Sequence, residues 1–450
     1  MMTNFNPTNA RELAFYALDK VRASQAYSNL QVDSLLKKHP LNSADRGLMT
    51  TIVYGTLQHQ LTLQYWLQEV VNHRQIDSWV ETLLLTALYQ YHYLERVPNW
   101  AITDETIKIA KYRGNPGIRK FVTGVLHAAL RVGWPDFSSI QPDVKRLSIA
   151  ASVPEWLVAE FVKEYGQEKA ESILRAINEP AHVSVRVDTT KMSVDEVQNE
   201  LTNEGVSTHP SPIAPECLIV EAGEVVNSSL FRNGQITIQD ESASLAVDSM
   251  DVQPSDHVLD ACAAPGGKTV QIAARLSSTE GGAVDALDIH QHKVRLIERN
   301  AKRMGVNDRV HAHTLDARNV DHQFADQTFD KVLVDAPCSG IGLLRRKPEI
   351  RYTKTLSDSQ HLHKIQLAIL NAVAPKVKKG GIITYSTCTI LQEENDHTVD
   401  QFLQGHPDFV LVKTSTTRAI KDDRHSATLT ILPSDYGSDG FFISSLQRKL

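Results

Sequence analysis

The chain has 450 residues, enough for two or three domains that each bury a core. Its 42% hydrophobic and 22% charged residues are those of an ordinary globular protein, and a net charge of −6 excludes nucleic-acid binding driven by bulk charge, leaving only local basic patches. The opening MMTNFNPTNARELAF lacks the layout of a secretory leader, no apolar run reaches the ~18 residues of a membrane span, and Cys217, Cys262, Cys338 and Cys388 form no C-x-x-C pair that would suggest zinc or a disulfide framework. A cytoplasmic location is expected, where cysteines stay reduced and can act as nucleophiles.

Residues 1–142 read as a helical domain. Ala14, Ala17, Leu18 and Val21 share one helical face, as do Leu48, Ile52, Val53 and Leu57, and Val80, Leu83, Leu84, Ala87 and Leu88. Breaks at 40–45, 72–77, 97–100 and 113–117 divide the pattern into a bundle. Arg46 and the stretch 108–120 (KIAKYRGNPGIRK) are candidate phosphate contacts, with a plain solvated face as the alternative.

Residues 143–235 read as a small α/β adaptor, ferredoxin-like in pattern, after a Pro/Gly/Ser-rich linker at 133–143. A helix follows Pro154, a strand runs through 180–188, and Ser193 with Glu196 forms a capping box for the next helix. Short strands are predicted near Cys217–Val220 and Ile236–Gln239, and Cys217 is expected to be structural.

Residues 236–450 alternate strand and helix, the pattern of a Rossmann-like, doubly wound α/β sheet, mostly parallel. Such sheets bind ligands at the carboxyl ends of their strands, where every unusual residue falls. The strand HVLDACA runs into Ala264-Pro265-Gly266-Gly267-Lys268 and then a helix, whose free N–H groups face any ligand held there. The next strand ends in Asp288, placed to grip ribose hydroxyls, and a third ends near Asp316, which could take a purine amine or simply cap the following turn. Neither a P-loop nor G-x-G-x-x-G is present, so an adenosine-type ligand without a pyrophosphate is predicted.

Two further strand ends carry Asp335-Ala336-Pro337-Cys338-Ser339-Gly340 and Thr387-Cys388-Thr389. Two thiols, a carboxylate and an adenosine-type donor suit methylation at C5 of a pyrimidine. A thiolate adding to C6 makes C5 enamine-like, a carboxylate assists at N3 or the exocyclic amine, and a second group removes the C5 proton so that the thiol can leave. The basic stretch 343–354 (LLRRKPEIRYTK) follows the Cys338 loop and is expected to meet RNA phosphates, against a solvated loop.

The segments ADRGLMTTIVYGTLQHQLTLQYWL and RKFVTGVLHAALR resemble the NusB family, a helical RNA-binding fold, over roughly the first 140 residues. DACAAPGGKT, DAPCSG and STC together resemble the RNA cytosine-C5 methyltransferases of the NOL1/NOP2/Sun class. With the NusB-like front, the whole chain is similar to the bacterial members that act on 16S ribosomal RNA. The resemblance implies S-adenosyl-L-methionine as cofactor, held by Cys262, Ala263, Ala264, Pro265, Gly266, Gly267 and Lys268, with Asp288 and Asp316 on the adenosine part. It implies that Cys388 attacks C6, that Cys338 assists release, and that Asp335 contacts the base and the cofactor end of the pocket, with Lys268 a candidate to orient the base. The implied partner is 16S rRNA, naked or in an early small-subunit particle, and neither DNA nor a membrane; a monomer is expected. Thr389 stands where the family often has Ser, and Glu241 stands at a position that is often small.

On chemistry alone the roles of Cys388 and Cys338 could be exchanged, since DNA cytosine methyltransferases attack with a Pro-Cys cysteine. A non-catalytic RNA-binding assembly factor and a methyltransferase for DNA or small molecules are the competing readings.

Overall fold

The computed structural model describes residues 7–24, 28–421 and 423–450, so the first six residues, which enter the leader expectation, lie outside it. The chain forms two compact units, Met1–Asn178 with Leu344–Thr353, and Glu179–Leu343 with Lys354–Leu450. Among the described residues, no helix is long and apolar enough to cross a membrane.

The first unit is helical, as the periodicity predicts. Its helices include Ser43–Gln58, Gln60–Val71, Ser78–Tyr93, Asn99–Arg113 and Pro116–Val132. Asn42 and Asn115 start two of them by accepting backbone N–H bonds from Asp45 and Ile118, and Pro116 fits the first helical position. The predicted apolar faces meet in two cores, one built on Leu13, Leu18, Ile52 and Val53, the other on Leu63, Leu83, Leu84, Leu88 and Leu126. Within the basic stretch 108–120, Lys108 is paired with Asp104 and Glu105, and Arg113 with Asp19, while Lys111, Arg119 and Lys120 are exposed.

Two residues of the segment 344–353 depart from expectation, whereas Lys347 is exposed. Arg351 and Tyr352 are not offered to phosphates but are packed into the helical unit, with Arg351 0% exposed. The reason is the unmet carbonyls that every helix leaves at its C-terminus. Arg351 Nη1 donates to the carbonyls of Gln58 (3.0 Å), Ala151 (3.1 Å) and Ser152 (3.2 Å), and Nη2 to that of Ile177 (2.9 Å). These oxygens end the helices Ser43–Gln58, Asp143–Ala151 and Gln167–Ala176. One guanidinium thus serves three negative helix ends. Burial lowers its pKa to about 10, which leaves it charged at neutral pH. Tyr352 bonds Ser152 beside it, at 3.0 Å from hydroxyl to carbonyl.

Within the region 143–235, the chain passes from the first compact unit to the second after Asn178. Helices Asp143–Ala151, Glu155–Tyr165 and Gln167–Ala176 pack in the helical unit, because Arg351 ties two of them there. The remainder opens the second unit as a four-stranded antiparallel sheet of β1 (Val183–Val187), β2 (Ser207–Pro210), β3 (Cys217–Ala222) and β4 (Ile236–Ile238), ordered β2-β3-β1-β4. The Ser193–Glu196 capping box forms as predicted. Cys217 is fully buried and its thiol is pushed up to about 12 by burial, in keeping with a structural role.

The main sheet comprises β5 (His257–Asp260), β6 (Ala283–Asp288), β7 (Val310–Thr314), β8 (Phe329–Asp335), β9 (Val377–Thr387), β10 (Phe409–Val412), β11 (Leu429–Ile431) and β12 (Phe441–Arg448). Its order is β10-β12-β9-β8-β5-β6-β7, with β11 paired to β12. Strands β5 to β9 are parallel, and β10 to β12, unforeseen in the sequence, add an antiparallel flank. Winding reverses at β5, which lies between β6 and β8, so the crevice at the carboxyl ends of β5 and β8 is the natural ligand site.

Arg351→Ala should strip the guanidinium from four carbonyls, of which Ala151 keeps Asn178 Nδ2 and Ser152 keeps the Tyr352 hydroxyl as donors. We expect the helical unit to lose roughly 3 kcal/mol or more, read as faster amide exchange in Ser43–Gln58 and Asp143–Ala151 with little change in β5–β9.

Candidate active site at the strand ends

The chain leaves β5 at Asp260 and turns through Cys262–Gly267 into the helix Gly267–Arg275. Gly266 holds φ +102°, and a Cβ there would press on the Ile297 backbone at 3.1 Å, so both the turn and the close packing require glycine. The fully buried Asp260 accepts a hydrogen bond from Thr269 Oγ1 at 2.7 Å, fastening the turn to the helix behind it.

A cleft of about 450 Å³ opens along these strand ends, within the roughly 300–1,000 Å³ usual for small-molecule sites. Cys262, Ala264, Asp288, Ile289, Asp316 and Asp335 line it, together with Cys338 and Cys388. Asp288 is held by the His290 backbone N–H at 2.8 Å. Exposed Ile289 beside it offers an apolar face. Asp316 caps the following turn, accepting from the Arg318 backbone N–H (2.9 Å) and guanidinium (2.6 Å), and it also faces the cleft. Carboxylates on successive strand tips beside an apolar wall suit a ligand with vicinal hydroxyls and a flat ring. A smaller recess joins Ala263, Pro265, Gly267 and Lys268 to Asp260 and Asp335.

Lys268 reaches across from the turn to Asp335, Nζ to Oδ2 at 2.8 Å. Burial alone would lower the Lys268 pKa, but the Asp335 carboxylate outweighs it and raises it. The other oxygen of Asp335 accepts from Ser386 Oγ at 2.9 Å. Asp335 is therefore a carboxyl group fixed on both sides.

Cys338 and Cys388, 50 residues apart, meet with their sulfurs at 2.9 Å, and both are free thiols. The hydrogen bond to Cys388, reinforced by burial, holds the Cys338 pKa well above its ordinary value. Cys338 therefore keeps its proton and can donate it toward Cys388. Burial also raises the Cys262 thiol well above its usual range, which leaves it unsuited to attack.

Every residue proposed from the sequence to hold the cofactor or act in catalysis thus lies in one of two adjoining recesses or in the turn between them. Sequence reasoning missed Asp260, Ser386, Arg318, Glu394 and Asn395. Asp260 was open to the same strand-end logic as Asp288, whereas Glu394 and Asn395 sit in a stretch that reads only as a helix start.

Residues 247–447 match the family described as 16S rRNA methyltransferase RsmB/F, residues 8–131 the NusB family, and residues 153–227 the ferredoxin-like domain of RsmF/B-like methyltransferases. The chain is 42% identical to the "Probable ribosomal RNA small subunit methyltransferase B" of Bacillus subtilis (strain 168), over 98% of this chain and 99% of that protein. The fold is similar to that of PH0851, with a TM-score of 0.82 and 24% identity over the full length of both chains. It is also similar to that of NSun6 from Pyrococcus horikoshii, described with SFG, with a TM-score of 0.58 and 22% identity over 66% of this chain and 98% of that one.

Burial, working against the Thr269 hydrogen bond, pushes the Asp260 carboxyl up from 3.8 to about 7. A carboxyl raised on folding stabilises fully below its unfolded pKa and loses that contribution as pH rises through the folded one. Relative to Asp260→Asn, the wild type should lose on the order of 2–4 kcal/mol between pH 4 and pH 8. Thermal melting of both proteins across that range checks it; parallel curves would show that Asp260 titrates normally.

Proposed function

The chain belongs to the RsmB/F family of 16S rRNA methyltransferases, with a NusB domain at its front, and from that premise we propose that it moves the methyl group of S-adenosyl-L-methionine to C5 of a cytosine in 16S rRNA through a bond between Cys388 and C6. Its coarser activity, methylation of small-subunit ribosomal RNA, follows from family membership. One observation carries the finer reading: two thiols in contact at 2.9 Å on the rim of a cleft that also holds Asp335 and the carboxylates of Asp288 and Asp316.

The residues present fit the cofactor. Asp288 would take the ribose hydroxyls, Ile289 and Asp316 the adenine, and the 262–268 turn the amino-acid end. When bound, S-adenosyl-L-methionine supplies an electrophilic methyl group. The relative described with SFG supports this choice.

In the proposed chemistry Cys388 Sγ adds to C6, and its electron pair raises the density at C5, which takes the methyl. Asp335, locked by Lys268 and Ser386, orients the base at N3 or the exocyclic amine. Cys338 acts in release. Its thiol is held protonated first by Cys388, and that cause disappears once Cys388 is bonded to carbon. Cys338 can then give its proton to solvent in the cleft and, as a thiolate, accept the C5 proton, the C5–H electron pair re-forming the C5–C6 double bond as the C6–S bond breaks and the Cys388 thiolate leaves. The exposed cations Lys111, Arg119 and Lys120 remain candidate phosphate contacts on the helical unit.

Cys388→Ala should cut turnover by roughly 10³-fold or more and form no covalent RNA adduct, with cofactor affinity nearly unchanged. Cys338→Ala should instead accumulate a protein–RNA adduct stable to denaturing electrophoresis. Bisulfite mapping of 16S rRNA with and without the protein identifies the cytosine; an unchanged map would exclude C5 methylation of that RNA.

A further inference from the structure

The two cysteines lie on different loops, one after β8 and one after β9, 50 residues apart. Something must fix the loops against each other for the sulfurs to meet. Direct ties exist: Ser339 Oγ donates to Thr389 Oγ1 at 2.9 Å, and Gly342 N–H to the Cys388 carbonyl at 3.0 Å. Beneath them sits a buried dipeptide, Glu394-Asn395.

Glu394 serves the Cys338 side. Its Oε2 accepts from the Ser339 backbone N–H at 2.8 Å and from Gln366 Nε2 at 3.0 Å. The same Gln366 nitrogen donates to the Pro337 carbonyl at 3.0 Å, so both neighbours of Cys338 are held. Oε1 accepts from Ser359 Oγ at 2.9 Å. Asn395 serves the Cys388 side. Its Oδ1 accepts from Thr387 Oγ1 at 2.6 Å, and its Nδ2 donates to the Thr389 carbonyl at 3.1 Å, so both neighbours of Cys388 are held as well. Tyr385, on β9, anchors the dipeptide by donating to the Glu394 carbonyl at 2.5 Å.

We propose that Glu394 and Asn395 are paired positioning residues, Glu394 setting Cys338 for release and Asn395 setting Cys388 for attack. Two adjacent side chains thereby fix the separation of two sulfurs that act in successive steps. The proposal rests on the cysteine chemistry above, and it assigns each half of the clamp to a different step.

Geometry separates the substitutions. Gln at 394 keeps a carbonyl to accept from Ser339 and Gln366 and an amide to donate to Ser359, and burial already disfavours the Glu394 charge. Asp at 395 keeps the acceptor for Thr387 but loses the donor to Thr389. Adduct formation and decay would be followed on a 16S rRNA fragment with S-adenosyl-L-methionine, with Cys338→Ala and Cys388→Ala as references.

Glu394→Ala should form adduct at close to the wild-type rate and release it roughly 10- to 100-fold more slowly, whereas Asn395→Asp should form it roughly 10- to 100-fold more slowly. Glu394→Gln should restore release. Should Glu394→Ala fail to fold, Gln366→Met tests the same side, and Thr387→Val tests the other. Equal loss of both steps in Glu394→Ala and Asn395→Asp, with no rescue by Gln, would overturn the clamp. Absence of any adduct from Cys338→Ala would instead overturn the cysteine chemistry beneath it.

Discussion

Parallel pairing of β8 with β9, in the register that sets Asp335 opposite Ser386, is the constraint on which the site depends. Three residues past Asp335 comes Cys338, and two past Ser386 comes Cys388. A slip by one residue would turn one set of side chains to the other face of the sheet. The register is fixed from both sides, by apolar packing of Val332, Val334, Ile383 and Tyr385 in one core, and by the Ser386–Asp335 hydrogen bond at the tip. Chemistry and folding are therefore specified by the same strand pair.

Around that pair the protein arranges charges so that each has one job. Asp335 is held by Lys268, while Asp260, in the same recess, is pushed toward its neutral form by burial. Burial thus changes the character of the Asp260 carboxyl. The thiols diverge in the same way: Cys217 and Cys262 are silenced by burial, and Cys338 is held protonated by the sulfur it touches.

Much of this was legible in the sequence because local chemistry enforces it. The 262–268 turn, the strand-end carboxylates and the Ser193 cap follow from residue types at fixed spacing, and the order of strands places them together. Other features depend on partners far away in the chain. Arg351 looked like one more cation in a basic loop, and nothing nearby reveals that carbonyls at 58, 151, 152 and 177 await it. Glu394 and Asn395 likewise take their meaning from residues 337–339 and 387–389, and strands β10 to β12 from pairing onto β9.

The way Arg351 closes three helix ends has a consequence for biosynthesis. A chain emerging from the ribosome presents its helical unit first, yet that unit takes in residues 344–353, made long after residue 178. Until those residues appear, the carbonyls that end the helices at 58, 151 and 176 lack the guanidinium that joins them. The earliest part to be translated is thus completed only when most of the polypeptide exists, so vectorial folding here does not run strictly from the amino terminus onward.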